Sequence, residues 1–253
     1  MDSCVVIPAR LASTRLPRKM LLADTGLPLV LHTYEAARGA KKPSSVIVAT
    51  DSEEILSVVQ SAGGQAVMTS PDCVSGTDRV AEVARQRPEF DLFVNLQGDE
   101  PELDPAAIDR VVAMLEEDST AAMATLATPI HNPARVADPA NVKVVFDDAG
   151  RALYFSRSPI PYLRDPLENV AAENPTQRFQ HVGLYAYQRD FLLRLADLPP
   201  SPLEQAEKLE QLRVLEAGET IRVGQIANAA PGIDTADDYA AFVQRCHAAR
   251  AAA

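Results

Sequence analysis

The sequence predicts an α/β domain: a largely parallel sheet, covered by helices on both faces and carrying an antiparallel insertion. Three observations carry this prediction. Short apolar runs of strand length alternate with helical patterns through about the first 130 residues. The alternation gives way after His131 to strand-like runs around a turn. No internal repeat or low-complexity linker divides the 253 residues, a length that one large domain with a substantial core accommodates.

The runs "CVVIP", "SSVIVAT", "QAVMT", "DLFVNL" and "AAMATLATPI" are short and mostly β-branched or flat-apolar. Strands buried on both faces of a parallel sheet have this character. Between them, "PLVLHTYEAARG", "SEEILSVVQSAGG", "TDRVAEVARQR" and "PAAIDRVVAMLEED" read as helices. Asp51 with Glu54 resembles a capping box, and Gly39 and Gly63 stand where C-terminal caps belong. A β-α alternation of this kind implies a parallel sheet with right-handed crossovers. Past His131, "NVKVVFDDAGRALYFS" forms two strand-like runs around Asp147, Asp148, Ala149 and Gly150, a hairpin signal. A loop rich in Pro, Asn and charge runs from Ser158 to Gln180, and the strand "HVGLYAY" follows. The helical patterns "RDFLLRLADL" and "PLEQAEKLEQLRVLEAG", the strand "TIRVGQI" and a helix from near Thr235 complete the chain. Its alanine-rich tail is expected to fray.

The bulk numbers exclude several classes of function. Apolar residues make up 47% and charged ones 23%, which is ordinary globular composition. No apolar run approaches the roughly eighteen residues of a membrane span, and "VVI" is too short for the apolar region of a secretory signal. The expectation is therefore a cytoplasmic protein without membrane insertion. The three cysteines, Cys4, Cys73 and Cys246, are far apart with no CxxC spacing. That argues against a disulfide framework or a zinc cluster and suits a reducing compartment. A net charge of -11 argues against a nucleic-acid binder, which needs a broad basic face. It leaves room for a small anion in a local basic pocket.

Ligands of open α/β sheets sit beyond the carboxyl ends of the strands. The loop "PARLASTRLPRK" leaves the first strand there, bringing Arg10, Arg15, Arg18 and Lys19 with small residues that let the backbone approach a phosphate chain. Solvated surface charge is the plainer reading; two prolines that stiffen the loop favour a ligand. In "SGTDR", Ser75 or Thr77 reads equally as a helix N-cap or as part of a site in which Gly76 lets the backbone close on a ligand and Arg79 points inward. In "NLQGDEP", Gly98 permits close approach, and Asp99 and Glu100 follow. A carboxylate there suits Mg²⁺, which takes few protein oxygens and completes its shell with substrate phosphates; a turn in which Asp99 bonds its own backbone is the alternative. Asp234 in "PGIDTADD" is placed like Asp99, just after a glycine and just before a helix, and a helix N-cap is its alternative reading. His181 opens a strand that alternates with Tyr185 and Tyr187 on one face. Glu210, Gln211 and Arg213 lie on a helical pattern, and Arg157 follows a strand. No P-loop, GxGxxG fingerprint or nucleophile–base triad is present in the sequence.

Together, "IPARLASTRLPRKML", "VATD", "SGTDR", "NLQGDEP", "LYFSRSPIPY", "HVGLYAY", "LEQLRVLEAG" and "GIDTADD" resemble, in this order, the 3-deoxy-manno-octulosonate cytidylyltransferases. The resemblance runs from residue 5 to about residue 240. It implies a Rossmann-like nucleotidyltransferase fold in one domain over residues 1–253. The nucleotide-binding core would cover about 1–130 and 200–245, with an inserted dimerisation and sugar-binding region at about 131–199. It implies transfer of CMP from CTP to the anomeric hydroxyl of 3-deoxy-manno-octulosonate (Kdo), release of pyrophosphate, Mg²⁺ as cofactor and a homodimer. By the same resemblance, Arg15, Lys19 and Asp99 would be catalytic. Pro8, Ala9, Arg10, Arg15, Lys19, Ser75, Gly76, Thr77, Arg79 and Gly98 would bind CTP. Gln97, Arg157, His181, Tyr185, Glu210 and Gln211 would line the sugar pocket, and Asp99 and Asp234 would hold the metal. The family usually has glycine where this chain has Arg18; if the position needs a positive φ, Arg18 is strained. Another acidic sugar, such as an 8-amino Kdo analogue or a nonulosonic acid, and a non-catalytic nucleotide-binding module remain as alternatives.

Overall fold

The computed structural model describes residues 1–13, 15–164 and 178–252. The side chains of strand β1 (Ser3–Ala9) are buried on both faces. Val5, Ile7 and Ala9 enter one core and Cys4 and Val6 the other, the period-two alternation of a strand. Helices α1 (Leu29–Arg38), α2 (Glu53–Ser61), α4 (Pro105–Glu117) and α9 (Ala236–Ala252) cover the first core. The second lies under α3 (Gly76–Gln86), α6 (Arg189–Asp197) and α8 (Gln211–Glu216).

Beside β1 run β2 (Ser45–Thr50) and β4 (Leu92–Asn95), both parallel to it, and β3 (Gln65–Met68) pairs parallel with β2. Farther along lie β5 (Met123–Pro129) and β9 (Ile221–Gln225), parallel to each other. Between β4 and β5 sits β8 (Phe179–Gln188), antiparallel to both, so the order is β3-β2-β1-β4-β8-β5-β9. The hairpin appears as β6 (Lys143–Phe146) and β7 (Ala152–Ser156), turning through Gly150 at φ +75°. It joins the sheet where β6 pairs with the first half of β8. Thus one edge of β8 pairs with β6 of the insertion through Phe179 and Gln180 and with β4 through Tyr185–Gln188, while its other edge runs along β5. A short helix, α5 (Pro133–Ala137), leads into the hairpin. Of the loop expected over 158–180, residues 165–177 lie outside the described residues.

Two local expectations are corrected. Helix α2 is capped by Ser52, whose side chain accepts from Ile55 N; Asp51 and Glu54 form no capping box. Asp51 instead faces Arg79. The pattern "PLEQAEKLEQLRVLEAG" is broken into α7 (Pro202–Glu207) and α8, with Lys208 left-handed at φ 54°. The break turns Leu209, Glu210 and Gln211 inward, where a straight helix would carry some of them to solvent. The cap glycines behave differently: Gly63 follows α2 at φ +77°, whereas Gly39 ends α1 in the right-handed region.

Because β1, β2, β3, β4, β5 and β9 share one direction, their carboxyl ends share one edge. The loops 10–18, 69–75, 96–104 and 226–235 all leave that edge, and they build the site.

Candidate active site

After β1 the chain closes into a short 3-10 turn, Lys19–Leu21, through a Leu22 N–H bond to the Lys19 carbonyl. The turn drives the Lys19 side chain inward, where it is 9% exposed. Its ammonium donates to Asp99 Oδ2 at 2.5 Å and to the Ile233 carbonyl at 2.7 Å, and stands 3.5 Å from Asp234 Oδ1. Arg15 reaches the same Asp234 oxygen at 2.9 Å. Two aspartates 135 positions apart therefore converge on one ammonium. Arg10, Ala12, Ser13, Arg15, Lys19 and Asp234 surround a cavity of about 260 Å³ beside this pair.

Main-chain bonds hold this arrangement in place. Ile233 N donates to the Asp99 carbonyl at 2.9 Å, and the buried Thr33 hydroxyl donates to the Gly98 carbonyl at 2.8 Å. A Cβ at Gly98 would meet Met20 Sδ at 2.8 Å and the Pro8 carbonyl at 3.1 Å. Glycine is thus required here for close approach. Burial, and then the charge of Asp99, push the Glu100 carboxyl up to about 7, so it adds less than a full charge beside Asp99 at neutral pH.

Arg18, just before the 3-10 turn, is left-handed at φ 56°, where a side chain costs about 1–2 kcal/mol. Its guanidinium points away from the cradle and pairs with exposed Glu54. Surface pairs of this kind contribute little. Arg18→Gly is expected to raise the unfolding free energy by about 0.5–1 kcal/mol, the strain relieved less the entropy that glycine adds to the unfolded chain. Arg18→Ala keeps the strain and loses the pair. Urea unfolding of the two variants checks this, and Arg18→Gly proving the less stable of them would contradict it.

A second cavity, of about 420 Å³, opens on the other side of the 95–100 segment. Gly76, Thr77, Gln97, His181, Tyr185 and Glu210 line it, with Gln211 beside them. Asn95 ties the walls: its amide donates to Thr77 Oγ1 at 3.4 Å, and its oxygen accepts from Gln97 Nε2 at 3.2 Å. Gln211 is buried and its Nε2 has no partner. Burial raises the Glu210 carboxyl against a lowering bond from Thr77, and burial alone pushes His181 down to about 3. The imidazole is therefore neutral.

The wall opposite is held by two cations that bond main chain. Lys143 is fully buried on β6, and its ammonium donates to the carbonyls of Asp138 (3.1 Å), Asn141 (2.7 Å) and Arg157 (2.5 Å). Burial lowers its pKa. Arg157 in turn donates to the carbonyls of Glu207 at 2.7 Å and Pro139 at 3.0 Å. These bonds join the loop carrying Ala140 and Val142 to the segment carrying Lys208 to Gln211, all of which line the cavity.

A family model described as cytidylyltransferase matches residues 4–221. Among similar proteins, the 3-deoxy-manno-octulosonate cytidylyltransferase of Rhodopirellula baltica is 49% identical over 97% of this chain and 98% of its own. That of Chlorobaculum tepidum is 47% identical over 94% of each. The chain belongs to the 3-deoxy-manno-octulosonate cytidylyltransferase family. A solved structure of CMP:2-keto-3-deoxy-manno-octonic acid synthetase complexed with CTP superposes with a TM-score of 0.90. It is 42% identical and covers 97% of this chain and 98% of that one. A cytidylyltransferase from Leptospira borgpetersenii, 17% identical with a TM-score of 0.60, shares the fold.

Within this cytidylyltransferase, the residues singled out by the sequence fall into three groups. Arg10, Arg15, Lys19, Asp99 and Asp234 meet at the cradle; Pro8, Ala9 and Gly98 are not among the residues that line its cavity, and Gly98 packs against the Pro8 carbonyl and Met20. Gly76, Thr77, Gln97, His181, Tyr185, Glu210 and Gln211 meet at the larger cavity. The remaining three spend their side chains on the fold. Ser75 caps α3 in a capping box with Asp78. Arg79 is fully buried, bonded to Thr69 Oγ1 and Asp51, and Arg157 straps the cavity wall through main-chain carbonyls. Sequence reasoning misses Asn95 and Lys143, although each is a polar residue inside an apolar strand ("LFVN" and "KVVF"). That is the signal that marks them.

Proposed function

We infer that the protein transfers CMP from CTP to the anomeric hydroxyl of Kdo, making the activated sugar used in lipopolysaccharide biosynthesis. The carrying observation is the 95–100 segment, which presents Gln97 to the large cavity and Asp99 to the cation cradle. A sugar in one and a triphosphate in the other would meet across this strand end. In the reaction the anomeric oxygen forms a bond to the α-phosphorus. The bond from that phosphorus to the bridging oxygen breaks, pyrophosphate leaves with the electron pair, and the hydroxyl proton is released.

Both substrates are anions, so the protein must offset their repulsion and align the attack. Arg10, Arg15 and Lys19 supply the positive field, and the loop prolines, with the close approach that Gly98 allows, fix it in advance of binding. Lys208, which lines the cavity, offers a donor for the carboxylate of the sugar acid. The donor set at Asp99 and Asp234 fits Mg²⁺: two carboxylates near one point, with no group of three or more potential ligands among the described residues. Such a site is completed by phosphate oxygens and water. When bound, the ion would stabilise charge on the phosphates and lower the pKa of a coordinated hydroxyl. In the free protein, Lys19 and Arg15 neutralise the two carboxylates in its stead.

The reading includes a homodimer in the cytoplasm. Leu153 and Tyr162, 61% and 86% exposed on the inserted region, support a second copy there, and the three free cysteines suit a reducing compartment. No helix among the described residues is long and apolar enough to cross a membrane. The test is pyrophosphate release from CTP and Mg²⁺ with a panel of sugar acids. Kdo is expected to turn over best; turnover of another acid with none of Kdo would overturn the substrate assignment.

A further inference from the structure

Opposite β5, strand β8 bulges. Thr125 pairs with Tyr185 but Leu126 pairs with Val182, so Gly183 and Leu184 have no counterpart on β5. Bulges re-aim side chains beside functional sites, and this one brings three polar groups around the fully buried Thr125 hydroxyl. Its oxygen lies 2.8 Å from the Leu184 carbonyl, 3.1 Å from the Val182 carbonyl and 3.0 Å from His181 Nε2.

Hydrogen-bond accounting points to a proton on one ring nitrogen of the histidine. The threonine hydroxyl has one proton, and the two carbonyl oxygens can only accept. Given to the Leu184 carbonyl, the shortest of the three contacts, that proton leaves the hydroxyl to accept from His181, with the hydrogen on Nε2. The ring packs edge-on against Phe155 at 5.1 Å and tilted against Tyr185 at 5.3 Å, apolar surroundings that favour its neutral form. A neutral imidazole has one N–H, so Nδ1 keeps a bare lone pair. Among the described residues Nδ1 has no protein partner, and it is not among the sealed, unpartnered atoms. The ring lines the large cavity.

We propose that Thr125 is a positioning residue for the transfer reaction, holding His181 as the Nε2–H tautomer so that Nδ1 accepts from a hydroxyl of the sugar. The proposal rests on the sugar-acid reading above. Its consequence is polarity: this edge of the cavity takes a hydroxyl and repels a carboxylate or carbonyl oxygen, which orients the sugar acid with its carboxylate elsewhere.

The experiment combines nitrogen NMR of ¹⁵N-histidine-labelled free protein with steady-state kinetics. His181 is assigned by the signal lost in His181→Gln. Near neutral pH the wild type is expected to show Nε2–H alone, and Thr125→Val a mixture of both tautomers. The same variant should raise the KM for Kdo about tenfold, the net worth of one hydrogen bond, with the KM for CTP unchanged; Thr125→Ser should restore both readouts. An Nδ1–H signal in the wild type overturns the proposal. So does Thr125→Val with an unaltered KM for Kdo, or with both KM values raised alike. Should Thr125→Val not fold, the wild-type spectrum decides alone. Because the tautomer is read without substrate, absence of wild-type turnover with Kdo would sink the substrate reading separately.

Discussion

Asp99→Asn is expected to lower turnover at least about a thousandfold and to leave the fold in place. Losing a single well-placed group that stabilises transition-state charge costs about 10²–10³ in rate, and here the group would also hold the metal. The amide is isosteric with the carboxylate, and the loop is anchored by main chain: the Asp99 carbonyl accepts from Ile233 N and the Gly98 carbonyl from Thr33. The ammonium of Lys19 would face an amide oxygen where the carboxylate stood, and it keeps the Ile233 carbonyl and Asp234, so no buried charge is stranded. Turnover at saturating CTP, Kdo and Mg²⁺, alongside thermal unfolding, checks both halves. Mg²⁺-dependent turnover within tenfold of wild type would remove Asp99 from the metal site.

The amino-acid sequence alone makes only half of that expectation legible, and the division has a physical basis. Periodicity reports which faces of an element are buried. That is enough for β1 to β5, for α1 to α4, and for placing the basic loop and "NLQGDEP" at the carboxyl edge. It does not report partners. Nothing local in "HVGLYAY" says that β8 runs antiparallel between β4 and β5, because that pairing joins segments about ninety positions apart. Nor does the helical pattern at 202–217 reveal a left-handed Lys208, whose conformation serves the cavity rather than the helix. The convergence of Asp99 and Asp234 is a tertiary fact, set by the Lys19 ammonium that stands between them. Arg18 shows the reverse: the missing glycine raises the question of a positive φ, and the backbone has one. At Arg79 a charge in a polar motif reads as a ligand contact, and only its burial assigns it to the fold.

That burial leads to the largest expected effect on stability. Asp51→Ala should lower the unfolding free energy by about 3 kcal/mol, the low end for removing one partner of a buried ion pair. The low end is appropriate because Asp51 is itself 22% exposed, while the Arg79 side chain is 0% exposed. In the wild type the guanidinium donates to Asp51 at 2.8 Å and to Thr69 Oγ1, and its Nε already lacks a partner. Removing the carboxylate leaves a buried cation with one hydroxyl for company, at a point that joins the end of β2 to α3 and the loop after β3. Asp51→Asn should cost less, since an amide oxygen still accepts from Arg79. Adding Arg79→Met to Asp51→Ala should recover part of the loss, because replacing both partners by apolar groups avoids the stranded charge. Urea unfolding of the three variants separates this from simple loss of packing. If the double variant is no more stable than Asp51→Ala, the cost does not come from an unpaired Arg79; if Asp51→Ala loses under about 0.5 kcal/mol, the pair does not hold the fold at all.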